Sequence, residues 1–229
     1  MKLYGIGVGP GDPQLLTIRG KRVLEQVDTV FIPGDLAQTI ISGYVSASNI
    51  VEIQFPMTTD KDKLQKAWQT AADHVVEKTD DKAAFVTIGD PSIYSTFGHL
   101  RRALRNNHST IDIEVIPGVS AATAFASAFD VDVVSGTNLM LAEAPNGTAP
   151  TGPDQMVLLK ITDVPTTHSK LTEAGYDVWY GRRLFMEDES TVITQNPDDL
   201  EDRDYFTLGY ARHQDIRFPS IGGGENNGT

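Results

Sequence analysis

Apolar residues along this chain fall into short blocks separated by longer stretches in which they recur every three or four positions. Residues 2–8, KLYGIGV, form a brief apolar run closing on glycines, the pattern of a buried strand. The following QLLTIRGKRVLEQV carries Leu15, Leu16, Ile18, Val23, Leu24 and Val27 on one side. That spacing predicts an amphipathic helix, with Asp12 as N-cap and Pro13 in its first position. DTVFIP (28–33) reads as a second strand, 37–46 as a weak helix, 50–54 as a strand and 60–78 as the longest helix. AAFVTI (83–88) is a further strand, ended by Gly89-Asp90-Pro91, and SIYSTFGHLRRALRNN (92–107) reads as the helix after it. IDIEVI (111–116), a turn at Pro117-Gly118 and a helix over 119–129 complete another unit. Strands alternating with helices predict a parallel α/β sheet with its ligand at the carboxyl ends of the strands.

The pattern changes near residue 133. Two short strands, NLMLAEA and MVLLKI, flank a polar loop at 144–155, and a helix near 164–174 follows. VWYGRRLFM, STVIT and DYFTLGYA then read as strands without long helices between them, which predicts antiparallel pairs. The expected organisation is an α/β domain over 1–133 with the glycine-rich loop, a smaller mixed α/β domain over 134–212, and a flexible tail over 213–229. The segment 187–204, with eight acids and one base, reads as a solvated loop region.

Composition narrows the chemistry. With no cysteine, disulfides and thiolate nucleophiles are excluded, and the five histidines show no metal-ligand spacing, so no metal site is expected. Asp and Glu outnumber Lys and Arg 31 to 19, for a net charge of −12, which argues against a nucleic-acid partner. That acidity reads as a solvated surface. No run approaches a membrane span, and MKLYGIGVG lacks the pattern of a signal peptide, so a cytoplasmic protein is expected.

The opening GIGVGPGDP invites a dinucleotide-binding reading that its letters refuse. Counting from Gly5 or from Gly7, the third glycine of GxGxxG falls on Pro10 or Asp12, and no GK[ST] follows. A strand leading into Gly-Asp-Pro and a helix occurs twice, however, at Gly11 and at Gly89. Each Asp-Pro can be only a helix cap. Two such turns at strand ends in one sheet can instead line a crevice whose backbone groups hold a small polar ligand without charged side chains.

GIGVGPGDP, the strand leading into GDPSIYSTFGHL, and EVIPGVSAATAFA together resemble the three signatures of the tetrapyrrole (corrin and porphyrin) methylases. GDPSIYST and the late DYFTLGYA are similar to the precorrin-2 and cobalt-factor II C-20-methyltransferase branch. The resemblance covers about residues 2–211. It implies a two-domain class III methyltransferase, usually a homodimer, with S-adenosylmethionine as cofactor and a small-molecule tetrapyrrole as substrate. It places cofactor contacts at Pro10, Gly89, Asp90, Ile93, Ser120 and Ala121, and in the second domain at Leu159, Lys160 and Leu184.

Methyl transfer from a sulfonium needs positioning rather than a protein nucleophile. Asp90 and Tyr94 are the candidates for taking the proton from the methylated carbon. The implied substrate carries eight carboxylates, for which Arg182 and Arg183 are the expected binders, while Arg101 and Arg102 read as a solvated helix face. The competing readings are a tetrapyrrole methylase acting at another ring position and a non-catalytic tetrapyrrole or nucleotide carrier on the same fold.

Overall fold

A computed structural model describes residues 1–56, 58, 60–186, 191–200 and 203–216. Most of the expected tail, 217–229, and parts of the acidic stretch, 187–190 and 201–202, lie outside the described residues. The chain divides into two compact units, Met1–Ala124 with Phe185–Asp188, and Phe125–Leu184 with Glu189–Thr229.

The first unit is a parallel sheet in the order β3-β2-β4-β1-β5, built from Ile50–Glu52, Thr29–Ile32, Lys82–Thr87, Lys2–Gly7 and Asp112–Ile116. Its helices are α1 (Ile18–Leu24), α2 (Asp35–Ile41), α3 (Lys61–Glu77), α4 (Phe97–Asn107) and α5 (Ala121–Phe129), the last reaching into the second unit. One face packs Ile6, Val8, Val30, Ile32, Ala84 and Val86 against Leu24, Ile40 and Ile41 from α1 and α2. The other packs Leu3, Phe31, Ala83 and Phe85 against Ala71, Val75, Phe97, Leu100 and Leu104 from α3 and α4. Apolar residues on both faces of each strand are what a sheet covered on both sides requires. Gly5 leaves the seat for the Phe97 ring, which a Cβ there would strike. Because β4 was inserted between β2 and β1, the carboxyl ends of β4, β1 and β5 are neighbours, and so are the loops that leave them.

Two helices differ from the sequence pattern. Asp12 does cap a turn, its side chain accepting from Gln14 N at 2.7 Å, but that turn is a short 3₁₀ segment, Pro13–Leu15. The helix restarts at Ile18 with Thr17 as cap, because Leu16 and Thr17 are extended. The helix expected over 92–107 begins only at Phe97. Asp90 Oδ1 takes Ser92 N at 2.8 Å in an Asx-type turn, Tyr94 has φ +45°, and Ser95 Oγ accepts from Phe97 N at 3.1 Å, so side chains hold 90–96 as a loop.

The second unit is a mixed sheet in the order β6-β7-β10-β8-β9: Leu139–Glu143, Gln155–Leu159, Thr207–His213, Tyr176–Arg182 and Val192–Thr194. β6 and β7 run parallel, whereas β10 is antiparallel to β7 and β8, and β9 is antiparallel to β8. Met156, Leu158, Tyr176, Val178, Tyr180 and Ala211 form a core with Val164 and Leu171 of α6 (Val164–Glu173). The strand read over VWYGRRLFM stops at Arg182, because Arg183 takes φ +52° and Phe185 φ +64°. A β-strand cannot continue through left-handed residues.

Candidate functional site

Three loops at the carboxyl ends of β1, β4 and β5 meet on their glycines. Val8 N donates to Thr87 O at 2.9 Å and Gly89 N to Gly9 O at 2.7 Å, so the first two loops stay bonded beyond the parallel strands through an antiparallel Gly9–Gly89 bridge. A Cβ on Gly7 would strike Gly89 O and come within 2.6 Å of Gly118 N. One on Gly118 would strike Gly89 O and lie 2.7 Å from Gly7 Cα. Gly9 and Gly89 have φ +86° and +69°, the left-handed region open to glycine at no steric cost.

Asp90 ties the second loop to the third. Its Oδ2 accepts from Gly118 N at 3.1 Å while Oδ1 holds Ser92 N. Ser95 Oγ donates to Thr87 Oγ1 at 3.0 Å, bringing the end of the same loop back onto β4. The third loop ends at Ser120, whose carbonyl accepts from Thr123 N and Ala124 N and whose Oγ accepts from Ala122 N at 3.2 Å, starting α5 at Ala121.

The sequence-expected residues of the first unit all stand on these loops. Pro10 and Gly89 are buried, and Asp90, Ile93, Ser120 and Ala121 are half-buried. Tyr94 is 47% exposed in its strained backbone, an uncommon conformation for an aromatic residue and one often kept at functional sites. Both carboxylate oxygens of Asp90 accept backbone hydrogen bonds, the arrangement of a clamp between loops. Gly7 and Gly118 are essential to the convergence, yet their sequence signal was only a glycine at a strand end and a Pro-Gly turn.

The expected second-unit residues gather at one end of the mixed sheet. Leu159 closes β7 and accepts from Ala144 N at 2.9 Å. Lys160 follows in the left-handed region (φ +58°), paired with Glu143 and with Nζ 5.4 Å from the Tyr205 ring centre. Burial opposes the Lys160 charge, but the bonds to Glu143 and Tyr205 outweigh it and raise its pKa. Arg182 ends β8 opposite Thr207 and Val192. Arg183 Nε donates to Asp204 Oδ2 at 2.7 Å, an acid within the stretch expected to be a solvated loop. Leu184 is buried, its side chain filling the space beside Gly181.

The loops 8–13, 88–96 and 117–121 contain no lysine or arginine, and their two half-buried carboxylates, Asp12 and Asp90, are both engaged by backbone amides. Such a wall offers neutral backbone groups, hydroxyls and apolar surface. It suits an adenosyl cofactor with a cationic sulfonium and does not suit a triphosphate, which calls for cations or an anion nest. Glycines close-packed to one another also let a ligand approach backbone directly.

Parallel sheet, mixed second unit and three glycine loops define the class of a two-unit α/β methyltransferase. Residues 2–198 match the family model of the Tetrapyrrole (Corrin/Porphyrin) Methylases, and the chain belongs to that family. It is 33% identical over 202 residues to the probable cobalt-precorrin-2 C(20)-methyltransferase of Methanocaldococcus jannaschii, covering 84% of this chain and 86% of that one. Among solved structures it is similar to the putative cobalamin synthesis related protein CobF of Corynebacterium diphtheriae, with a TM-score of 0.77 and 18% identity over 94% of this chain and 100% of that one. It is similar also to a uroporphyrin-III C-methyl transferase of Thermus thermophilus complexed with S-adenyl homocysteine, with a TM-score of 0.64 and 15% identity, covering 93% and 97%.

Proposed function

We propose that this chain transfers a methyl group from S-adenosylmethionine to the C-20 meso carbon of precorrin-2 or its cobalt-bearing counterpart, a step of cobalamin biosynthesis. The observation that carries the reading is the convergence of Gly7, Gly89 and Gly118 under the Asp90 clamp, in a chain one-third identical to a relative named for that reaction. Pro10, Gly89, Asp90, Ile93, Ser120 and Ala121 stand on those loops and are the residues proposed to hold the cofactor. Leu159, Lys160 and Leu184 are proposed contacts from the second unit on the resemblance alone.

When bound, the cofactor supplies a methyl group already activated by its sulfonium charge. The protein's task is to fix that methyl and the acceptor carbon at near-attack distance, a contribution that reaches about 7–11 kcal/mol in well-oriented systems. A loop wall braced by Asp90 and by close-packed glycines is suited to it, since positioning requires rigidity. Asp90, with both oxygens engaged by amides, is a poor base, so the C-20 proton passes to water, directly or relayed through the Tyr94 hydroxyl, which gives up its own proton as it takes that one.

Incubation with labelled S-adenosylmethionine and a panel of tetrapyrroles tests the reading. Label is expected on C-20, located by NMR of the product, and running metal-free beside cobalt-loaded macrocycle identifies the true acceptor. Binding of both ligands without transfer would make the chain a carrier, and label at another carbon would assign a different ring position. The same resemblance implies a homodimer, for which light scattering is expected to give twice the chain mass of 24.9 kDa.

A further inference from the structure

One end of the mixed sheet holds three cations whose commitments differ. Since β6 and β7 are parallel and β10 is antiparallel to both β7 and β8, Glu143, Lys160, Arg182 and the approach to Thr207 all fall at that end. Lys160 is bound to Glu143 and lies against Tyr205. Arg183 is held through its side chain by Asp204, through its amide by Phe206 O at 3.2 Å, and through its carbonyl by Thr191 Oγ1 at 3.0 Å. Asp204 is itself fixed, with Oδ1 accepting from Phe206 N at 2.8 Å and its carboxylate only 14% exposed.

Arg182 differs from both. Among the described residues it makes no ion pair, and its Nε is buried with no hydrogen-bond partner. Strand alternation puts it on the same face as Val178 and Tyr180, the core face of the sheet. An unpartnered guanidinium N–H out of reach of water is costly, and an apolar residue would fill the place without that cost. In a chain with twelve more acids than bases it nonetheless has no acidic partner among the described residues.

We propose that Arg182 is the side chain that takes a carboxylate of the tetrapyrrole, and that Arg183 is its positioning residue rather than a second binder. This rests on the tetrapyrrole reading of the preceding section. Arg182 as a whole is only half-buried, so its guanidinium can turn at the strand end and present the planar fork that meets a carboxylate in two parallel bonds, which lysine cannot reproduce. Arg183, left-handed and locked to Asp204, ends β8 one residue later and so fixes the strand terminus from which Arg182 projects.

The test titrates the intact protein with uroporphyrin III, a stable octacarboxylate tetrapyrrole, by absorbance, with cofactor affinity and melting temperature measured alongside. Arg182→Gln is expected to raise the macrocycle Kd about tenfold to a hundredfold, as for loss of a charge-assisted pair. Cofactor affinity should stay put, melting temperature should not fall, and Arg182→Lys should recover only part of the loss. Arg183→Gln should lower the melting temperature, with macrocycle affinity falling less than in Arg182→Gln. Unchanged macrocycle affinity in Arg182→Gln overturns the assignment while leaving the methyltransferase reading standing. An Arg183→Gln variant of wild-type stability that loses as much affinity as Arg182→Gln overturns the division between them. A wild-type protein that binds no macrocycle removes both readings.

Discussion

Gly7 and Gly118 lie back to back, so that a Cβ on Gly118 would sit 2.7 Å from Gly7 Cα and one on Gly7 would sit 2.6 Å from Gly118 N. Both would also strike Gly89 O, the carbonyl between them. Three loops that are far apart in the chain therefore share one close contact made entirely of backbone. No side chain is there to give way, so the contact tolerates no added volume.

Gly118→Ala is expected to separate the loops and to destabilise the protein by about 1–3 kcal/mol or more, the range of overpacking in a rigid site. Cofactor binding should be lost with it. Gly43→Ala is the matched control, since nothing lies within 4 Å of the Cβ it would add. Thermal melts of the two variants check this, and equal stability would mean that the loops rearrange freely.

Asp90 offers a gentler way to loosen the same wall. Asp90→Ala removes the acceptor for Gly118 N and for Ser92 N, whereas Asp90→Asn keeps a single oxygen for the two. A hydrogen bond to a charged group contributes about 1.5–3 kcal/mol. Calorimetry should show cofactor affinity falling in the order wild type, Asn, Ala, with a smaller fall in melting temperature. A variant that melts early but binds the cofactor normally would reduce Asp90 to a turn former.

Much of the first unit was legible because its strands are apolar on both faces and each helical stretch has a clear period. The turn chemistry was less so. Asp12 looked like the cap of a long helix because nothing in its letters shows that Leu16 and Thr17 are extended. The residues from Ser92 to Thr96 looked helical because the bonds that hold them out of the helix run to Thr87, Asp90 and Phe97. Glycine at a strand end was visible, but that Gly7, Gly89 and Gly118 touch is a tertiary fact. The left-handed conformations of Lys160, Arg183 and Phe185 carry no sequence signal at all, since none is a residue that prefers that region. The partner of Arg183, likewise, stood in a run of acids from which single-letter charge gives no way to choose.

Tyr210 and Gln155 make a buried polar pair in the second unit. Tyr210 OH donates to Gln155 Oε1 at 2.5 Å, and Gln155 Nε2 donates to Thr137 Oγ1 at 2.6 Å, with neither Tyr210 nor Gln155 exposed. Burial raises the Tyr210 pKa, and the nearby Arg212 charge partly offsets it, so the hydroxyl stays protonated and able to donate. Tyr210→Phe strands the Gln155 oxygen and is expected to cost about 1–3 kcal/mol in denaturant unfolding. Tyr210→Phe combined with Gln155→Leu should recover part of that cost, because no acceptor is then left unsatisfied. If the single variant is as stable as wild type, the pair contributes nothing to the unit.

His168 gives the second unit a pH dependence whose direction is fixed by its surroundings. Its Nδ1 lies 3.2 Å from Tyr180 OH, and Tyr180 is fully buried with its own pKa raised by burial. Burial lowers the His168 pKa from its ordinary 6.5, and the charge of Asp198 only partly opposes the change. The folded state therefore holds this imidazole neutral in a window where the unfolded chain already binds the proton. Stability from this group is complete above the unfolded value and declines as pH falls below 6.5 toward the lower folded value. The chain has four other histidines, so the comparison must be between variants. Denaturant midpoints at pH 8, 7, 6 and 5 should fall more steeply for wild type than for His168→Gln, which retains a polar side chain but carries no titrating group. Parallel curves for the two proteins would show that His168 takes up its proton as readily folded as unfolded.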